Sequence, residues 1–433
     1  MTTAAGGGAP GSALRKVVAR LTGVNIVVAA IGIVTGSIQA QVLGPSGRGE
    51  VAAVVMPLAF SVWVLDFGLT VFVARARATG RRAADVYGTV VPLSCAFSLL
   101  GVAAAVPVAH LLGQGRDTVI LFLEIGLLLS PVSVALLSLN GALWGEERWR
   151  RISAIRIAAP VLTAIALVVL ALIDQLTVTS TIIAVLVAGL LSSMLVLPAV
   201  LRVGRWRYDR ALGREALRFG AHNWLSGIAV VANLRLDQLL MAGIVSSRQL
   251  GLYAVATTAA TFSSVFVGAL TYGLFPRMAR GEPELARRAC RVVLASVALA
   301  SVVAALLFPF LIPLLFGSGF DDAVPMALIL LVAGVGAAFV TVLGISLSAA
   351  GNPRATVVPQ VVGLAIAVPL LLIVLPGHGG IGAALVSVLS GAVSATLMLA
   401  SGRREFGGRR REYLLVTAAD VAVVRRRLSR QPS

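Results

Sequence analysis

The sequence predicts an all-α integral membrane protein with about twelve transmembrane helices in two six-helix bundles. Three observations carry that expectation. Hydrophobic residues make up 58% of the 433-residue chain and charged residues 12%, with mean hydropathy +0.96, a balance foreign to ordinary soluble domains. Apolar runs long enough to span recur along the chain, and the loops between them alternate in basic content.

A hydrocarbon core of about 30 Å needs about 20 residues at a rise of about 1.5 Å each. Twelve runs meet that length: 23–43, 51–73, 87–112, 119–143, 153–173, 180–201, 223–245, 251–275, 292–316, 323–350, 356–375 and 381–400. The first follows a small, Gly-rich stretch and has no convincing cleavage site, so it reads as a retained span and not a signal peptide. Between the first two, Gly44-Pro45 with Gly47 and Gly49 reads as a tight turn, where glycine freedom and a fixed proline φ are useful. Helix-interior prolines such as Pro57, Pro131, Pro160, Pro309 and Pro369 supply kinks that membrane bundles tolerate. After the last span, residues 401–433 form a basic tail whose apolar stretch 413–424 is too short to cross and reads as an interfacial helix or a disordered arm. The predicted organisation is therefore a tail over 1–22, a bundle over 23–201, a linker over 202–222, a bundle over 223–400 and the tail.

Of 36 Lys and Arg, 32 lie in the N-terminal tail, the loops after even-numbered spans and the C-terminal tail. Arg48, Arg116 and Arg248 lie on the other side, and Arg235 lies inside a span. The positive-inside rule then places both termini in the cytoplasm of a cell with an inner membrane. The net charge of +18 is explained by a basic rim facing anionic membrane lipids, and no nucleic-acid partner is implied. Cys95 and Cys290 are far apart in apolar runs, and three isolated histidines add nothing to a metal case.

Two sets of six spans share one orientation, as a parallel repeat requires. A shift of 202 residues pairs Gly49 with Gly251, Ala52 with Ala254, Phe60 with Phe262, Ser61 with Ser263 and Arg75 with Arg277.

A charge at membrane depth costs several kcal/mol by insertion scales, so intramembrane charges mark function. On the seventh span the helical period aligns Asn223, Ser226, Val230, Asn233 and Asp237 on one mostly polar stripe facing protein or water. Arg235 lies two residues from Asp237, about 200° around the helix, so they are not an i,i+4 pair. Arg235 therefore needs another partner, for which Asp66 or Glu124 on a neighbouring helix is the candidate, or it is a cation that a phosphate can claim. Asp66 sits about two-thirds along the second span, fitting a cavity or ion-coupling acid, with a buried pair or cap as the alternative. Glu124, near the outer end of the fourth span, fits either snorkelling or coupling. Arg48 beside the outer turn reads as solvated or as meeting a departing diphosphate. Arg75 and Arg277 read as membrane anchors or as a basic mouth attracting one.

Three segments carry a family resemblance. The run from Gln41 to Glu50 (QVLGPSGRGE) with Leu65-Asp66-Phe67-Gly68-Leu69 resembles the first helical hairpin of bacterial polysaccharide and lipid-linked oligosaccharide flippases, in the superfamily shared with multidrug-and-toxin exporters. Arg235-Leu236-Asp237-Gln238 with Gln249-Leu250-Gly251-Leu252-Tyr253-Ala254-Val255-Ala256 is similar to that family's seventh and eighth helices, and Pro313 to Phe320 with Ala350-Gly351-Asn352-Pro353 to its ninth to eleventh. The resemblance implies alternating access by two bundles and export of undecaprenyl-diphosphate-linked sugar units or lipid II. Lipid II flippases usually carry two further helices and more cavity arginines, so twelve spans favour the polysaccharide branch.

No enzyme is implied, and no cofactor is expected, since no Walker-type phosphate loop is present. Proton or sodium coupling through Asp66, Asp237 or Glu124 is the expected energy source beside the membrane potential. A monomer is expected, with polysaccharide-synthesis proteins as candidate partners of the tail. An ion-coupled small-molecule exporter and a non-transporting scaffold remain the other readings. Against a facilitator, the loop Arg75 to Arg82 lacks the Gly-x-x-x-Asp-Arg pattern.

Overall fold

The computed structural model describes residues 10–261, 283–350, 352 and 354–415, and every regular element among them is helical. The first bundle contains α1 (Pro10–Leu65), α2 (Leu69–Ala78), α3 (Ala83–Ala103), α4 (Ala105–Gly113), α5 (Asp117–Leu128), α6 (Ser130–Gly145), α7 (Trp149–Leu172), α8 (Val178–Met194) and the short α9 (Leu197–Val200). The second contains α10 (Arg210–Ile244), α11 (247–261), α12 (Pro283–Phe316), α13 (Ala323–Ala349) and α14 (Arg354–Phe406), with the single turn α15 (Arg411–Leu414) behind them.

Twelve spans emerge from fewer continuous helices. Seven helices are long and apolar enough to cross alone, and the pair α5 and α6, bent by 54°, makes an eighth span. Two of the seven are double. The backbone of α1 leaves helical geometry at Gly44 (φ 65°) and that of α14 at Gly379 (φ 49°), left-handed positions that glycine takes without a Cβ penalty. The seventh predicted span is α10, whose charges disguise it, and α11 forms the start of the eighth, of which residues 262–275 lie outside the described residues. The two six-helix bundles expected from the sequence are the architecture.

Packing is uneven along the membrane normal. At the arginine-poor end one continuous apolar core joins the bundles: Val54, Leu123 and Ile182 of the first share it with Met241, Tyr253, Phe316 and Leu375 of the second. At the arginine-rich end the described residues form two separate cores. One, around Phe72, Val86, Leu143 and Val200, belongs to the first bundle; the other, around Cys290, Val297, Leu343 and Met398, belongs to the second.

The joined end is closed by backbone-to-backbone contact. A Cβ on Gly49 would lie 1.8 Å from the Ser247 carbonyl oxygen, and a Cβ on Gly251 would lie 1.9 Å from that of Pro45. Gly49 and Gly251 are the pair linked by the 202-residue shift, and Pro45 and Ser247 are linked by the same shift. The internal repeat therefore meets itself at a crossing that admits only hydrogen at two positions. Ser37 and Gln41 of α1 both donate to the Leu315 carbonyl of α12, the Gln41 bond at 2.9 Å.

Two segments differ from expectation. The helix predicted from residue 223 starts at Arg210, where the Asp209 carboxylate accepts from the backbone N–H groups of Ala211 and Leu212, so much of the predicted linker is helical. Leu212 and Ala216 bury themselves in the core of the first bundle, a tertiary gain that local charge patterning does not reveal. The tail is anchored at its start: the Tyr413 hydroxyl donates to the carbonyls of Gly402 at 3.0 Å and Gly407 at 2.7 Å. Beyond Leu415 the predicted interfacial stretch lies outside the described residues.

Candidate functional site

The second span breaks at Asp66. Phe67 (φ 49°) and Gly68 (φ 73°) both adopt left-handed geometry, which ends one helix and restarts α2 in a new direction. The Asp66 carboxylate fills the break, accepting from the Thr70 N–H at 3.2 Å, the Thr70 hydroxyl at 2.7 Å and the Ser138 hydroxyl at 2.9 Å. Since Ser138 spends its proton on Asp66, Ser94 must be the donor across the 2.9 Å Ser94–Ser138 contact. Asp66 is thus enclosed by hydroxyls, 4% exposed, and is not the partner of Arg235 that helical phase suggested. The break is seated on α10. The Trp224 indole donates to the Val64 carbonyl at 2.7 Å, and a Cβ on Gly220 would lie 2.4 Å from the Phe67 carbonyl oxygen.

Asp237 is also engaged. It accepts from the Tyr253 hydroxyl and from the Gln238 N–H, while Gln238 donates to Thr257 at 3.1 Å, tying α10 to α11. Asn233 reaches the Gln360 carbonyl of α14 at 3.0 Å as well as its own helix at Ala229. Asn223 donates to the Phe219 carbonyl one turn back. These three residues of the predicted stripe therefore face protein groups; the side chains of Ser226 and Val230 lie outside the described set.

Arg235 is different. It is exposed, and no carboxylate among the described residues lies within ion-pair distance, including Asp237. Glu124, its other predicted partner, instead faces His110 at 3.8 Å. Both assignments fail for one reason: helical phase says which way a side chain points on its own helix, but not which neighbour stands there.

Arg48 departs from the solvated-loop reading. Its guanidinium donates to Gln39, and its buried Nε has no hydrogen-bond partner among the described residues. A Cβ on Gly36 would meet Phe316 of α12 at 3.5 Å, an Arg48 nitrogen at 3.8 Å and Thr258 of α11 at 4.0 Å, which puts Arg48 at the joint between bundles. Arg75 stacks over the Phe219 ring, 4.9 Å from its centroid, at the arginine-rich end. Arg277, its predicted counterpart, lies outside the described residues.

Sequence reasoning overlooked Arg116. Its guanidinium donates to the carbonyls of Gly113 at 2.8 Å and Leu112 at 3.0 Å, and across the bundle boundary to the Ala242 carbonyl and the Ser247 hydroxyl, both at 2.8 Å. One side chain so closes two helix C-termini, where a cation is favoured by the helix dipole. Burial pushes its guanidinium below the usual arginine range, and nearby Glu50 pulls it back up. The available signal was a lone arginine in an arginine-poor loop.

The bundles share one core at the arginine-poor end, and Arg235 is exposed near the middle of its span with no carboxylate among the described residues within ion-pair distance, an arrangement that fits a membrane transporter of the flippase or exporter class. The family model described as "Polysaccharide biosynthesis protein" matches residues 38–325, so the chain belongs to that family. Among solved structures, the chain is similar to an inward-facing multidrug resistance MATE family transporter of the MOP superfamily (TM-score 0.70, 17% identity, 89% of this chain and 98% of that one). It is similar to lipid II flippase MurJ in an inward closed conformation (TM-score 0.71, 12% identity, 95% and 93%). An outward-facing MATE transporter superposes with TM-score 0.56 at 16% identity over 93% and 99% of the two chains. No curated protein matches the sequence.

Proposed function

We propose that this protein is a flippase that carries undecaprenyl-diphosphate-linked oligosaccharide units across the cytoplasmic membrane for cell-surface polysaccharide synthesis. The observation that carries this reading is Arg235. Its position nine residues from the end of α10 is about 14 Å from the arginine-poor end, near mid-depth of a core of about 30 Å. A guanidinium facing lipid there is costly, so we read an exposed one, with no carboxylate among the described residues in reach, as facing water between the bundles. A diphosphate is the anion that fits a planar, bidentate donor. Arg48, with an unused buried N–H at the closed end, is the next cation along the same path.

The split core at the arginine-rich end supports an inward-facing state, with that end and both termini in the cytoplasm. The higher TM-score with the inward-facing than with the outward-facing MATE structure agrees. Outward opening then separates the Gly49–Gly251 crossing, the Arg116 bridge and the bonds to Leu315. Moving an anionic headgroup outward is favoured by about 2.3 kcal/mol per charge per 100 mV when the interior is negative. Asp66 and Asp237, each held by hydroxyl donors, are the acids available for proton or sodium coupling.

The test is Arg235→Ala in a strain lacking the native gene. Polymer export is expected to stop while the protein remains inserted at normal levels; normal export by this variant would reject the headgroup role.

A further inference from the structure

We propose that Arg75, Arg214 and Arg218 form a docking site for a phosphate-bearing lipid headgroup at the arginine-rich mouth, a separate stop from mid-depth Arg235. These three arginines line one cavity of about 600 Å³ together with Ala211, Glu215 and Phe219. Arg214 and Arg218 come from the first three turns of α10, and Arg75 comes from α2, which packs against it. No carboxylate among the described residues is within ion-pair distance of any of the three, and Glu215, which lines the same cavity, faces Arg81 at 3.5 Å.

The helix accepts a cost to hold this charge. Arg210, Arg214 and Arg218 recur every four residues, a spacing at which like charges repel. Arg210 also sits in the first turn of α10, where the helix dipole disfavours a cation. Positive-inside topology explains why arginines are abundant at this end. It does not explain their convergence with Arg75 around one cavity. The opposite face of the helix is fixed by buried Leu212 and Ala216, so the arginines are presented by a rigid element. Phe219 is itself the ring beneath Arg75, and it packs 6.0 Å from Phe72, so the third guanidinium is also held in place. A compact polyanion relieves the repulsion and satisfies several forked donors together.

Two sources offer that chemistry: the diphosphate of a polyprenyl carrier and the phosphate of an anionic phospholipid. The assignment to a carrier rests on the flippase reading above; the headgroup site itself does not. The experiment is native mass spectrometry of the full chain in detergent with farnesyl diphosphate, phosphatidylglycerol and, as a phosphate-free control, farnesol. Wild type is expected to bind at least one phosphate lipid in a salt-sensitive manner and farnesol weakly. Arg214→Ala/Arg218→Ala is expected to weaken that binding about tenfold or more, the loss of one or two charge-assisted hydrogen bonds. Arg214→Lys/Arg218→Lys, which keeps charge but loses the fork, is expected to fall between them and guards against a misfolded double variant. Loss of farnesyl diphosphate alone assigns the site to the carrier, and loss of phosphatidylglycerol alone assigns it to bulk lipid. Equal binding of both lipids by wild type and the alanine variant would overturn the site. That result leaves the Arg235→Ala export test untouched, so the two readings fail separately.

Discussion

The two ends of this molecule are built by opposite rules. At the arginine-poor end, glycines bring backbones into contact and Arg116 spends its donors on carbonyls and a hydroxyl, so polar groups there are consumed in holding the bundles together. At the arginine-rich end the described cores are separate, and no carboxylate among the described residues pairs with Arg75, Arg214 or Arg218. The contrast teaches that arginine has two settings in one membrane protein: satisfied by carbonyls it is a clamp, and without a carboxylate among the described residues it is, on the proposal above, a receptor for an anion.

The sharpest way to break this comparison is to enlarge the crossing. Gly49→Val or Gly251→Val places atoms inside a backbone carbonyl, so the closed end must part or the protein must strain. A loss of roughly 3 kcal/mol, the upper range for overpacking, is expected in thermal unfolding in detergent. Cysteines placed at the arginine-poor end are expected to become reactive in the same variants, and unchanged melting with unchanged labelling would show that the crossing does not hold the bundles together.

Next in size is Arg116→Ala, which removes the bridge without adding bulk. About 2 kcal/mol of stability is expected to go, because charge-assisted bonds to two helix ends are lost together. A double-mutant cycle with Ser247→Ala checks the contact directly: additive losses would mean that Arg116 and Ser247 do not interact.

The smallest effect is at the arginine-rich end. Tyr413→Phe removes the one proton shared between the Gly402 and Gly407 carbonyls that fastens the start of the tail, at a cost of about 1 kcal/mol, read as faster protease cleavage after Phe406. Burial pushes the Tyr413 phenol from 10.0 up to about 12, with Arg287 opposing. A raised folded-state pKa means that the neutral donor contributes fully below pH 10 and that its contribution fades as pH rises toward 12. Wild-type tail protection is expected to persist at pH 9 and weaken above pH 10, and Tyr413→Phe is expected to lose that dependence.

Much of this was legible in the sequence. Composition and run length fixed the membrane class, and alternation of basic loops predicts an orientation. The weak 202-residue repeat pointed to Gly49 and Gly251 before any contact was known. The phase argument on α10 separated Arg235 from Asp237, and no ion pair joins them. It misled only when extended to partners, assigning Asp66 and Glu124 to Arg235 although Thr70 with Ser138 and His110 claim them. Arg48 was read from its loop, yet the turn at Gly44 folds it back between bundles.

By itself the sequence determined how many times the chain crosses, which ends lie together and which residues are too polar for lipid, because these follow from transfer free energy and helical period along one strand of chain. Only the tertiary structure decided which carbonyl Arg116 reaches, why Gly251 tolerates no side chain, and that α10 is seated on the broken second span at Gly220. Those facts depend on pairs of residues distant in sequence, whose meeting is set by the packing of whole helices and not by any local pattern.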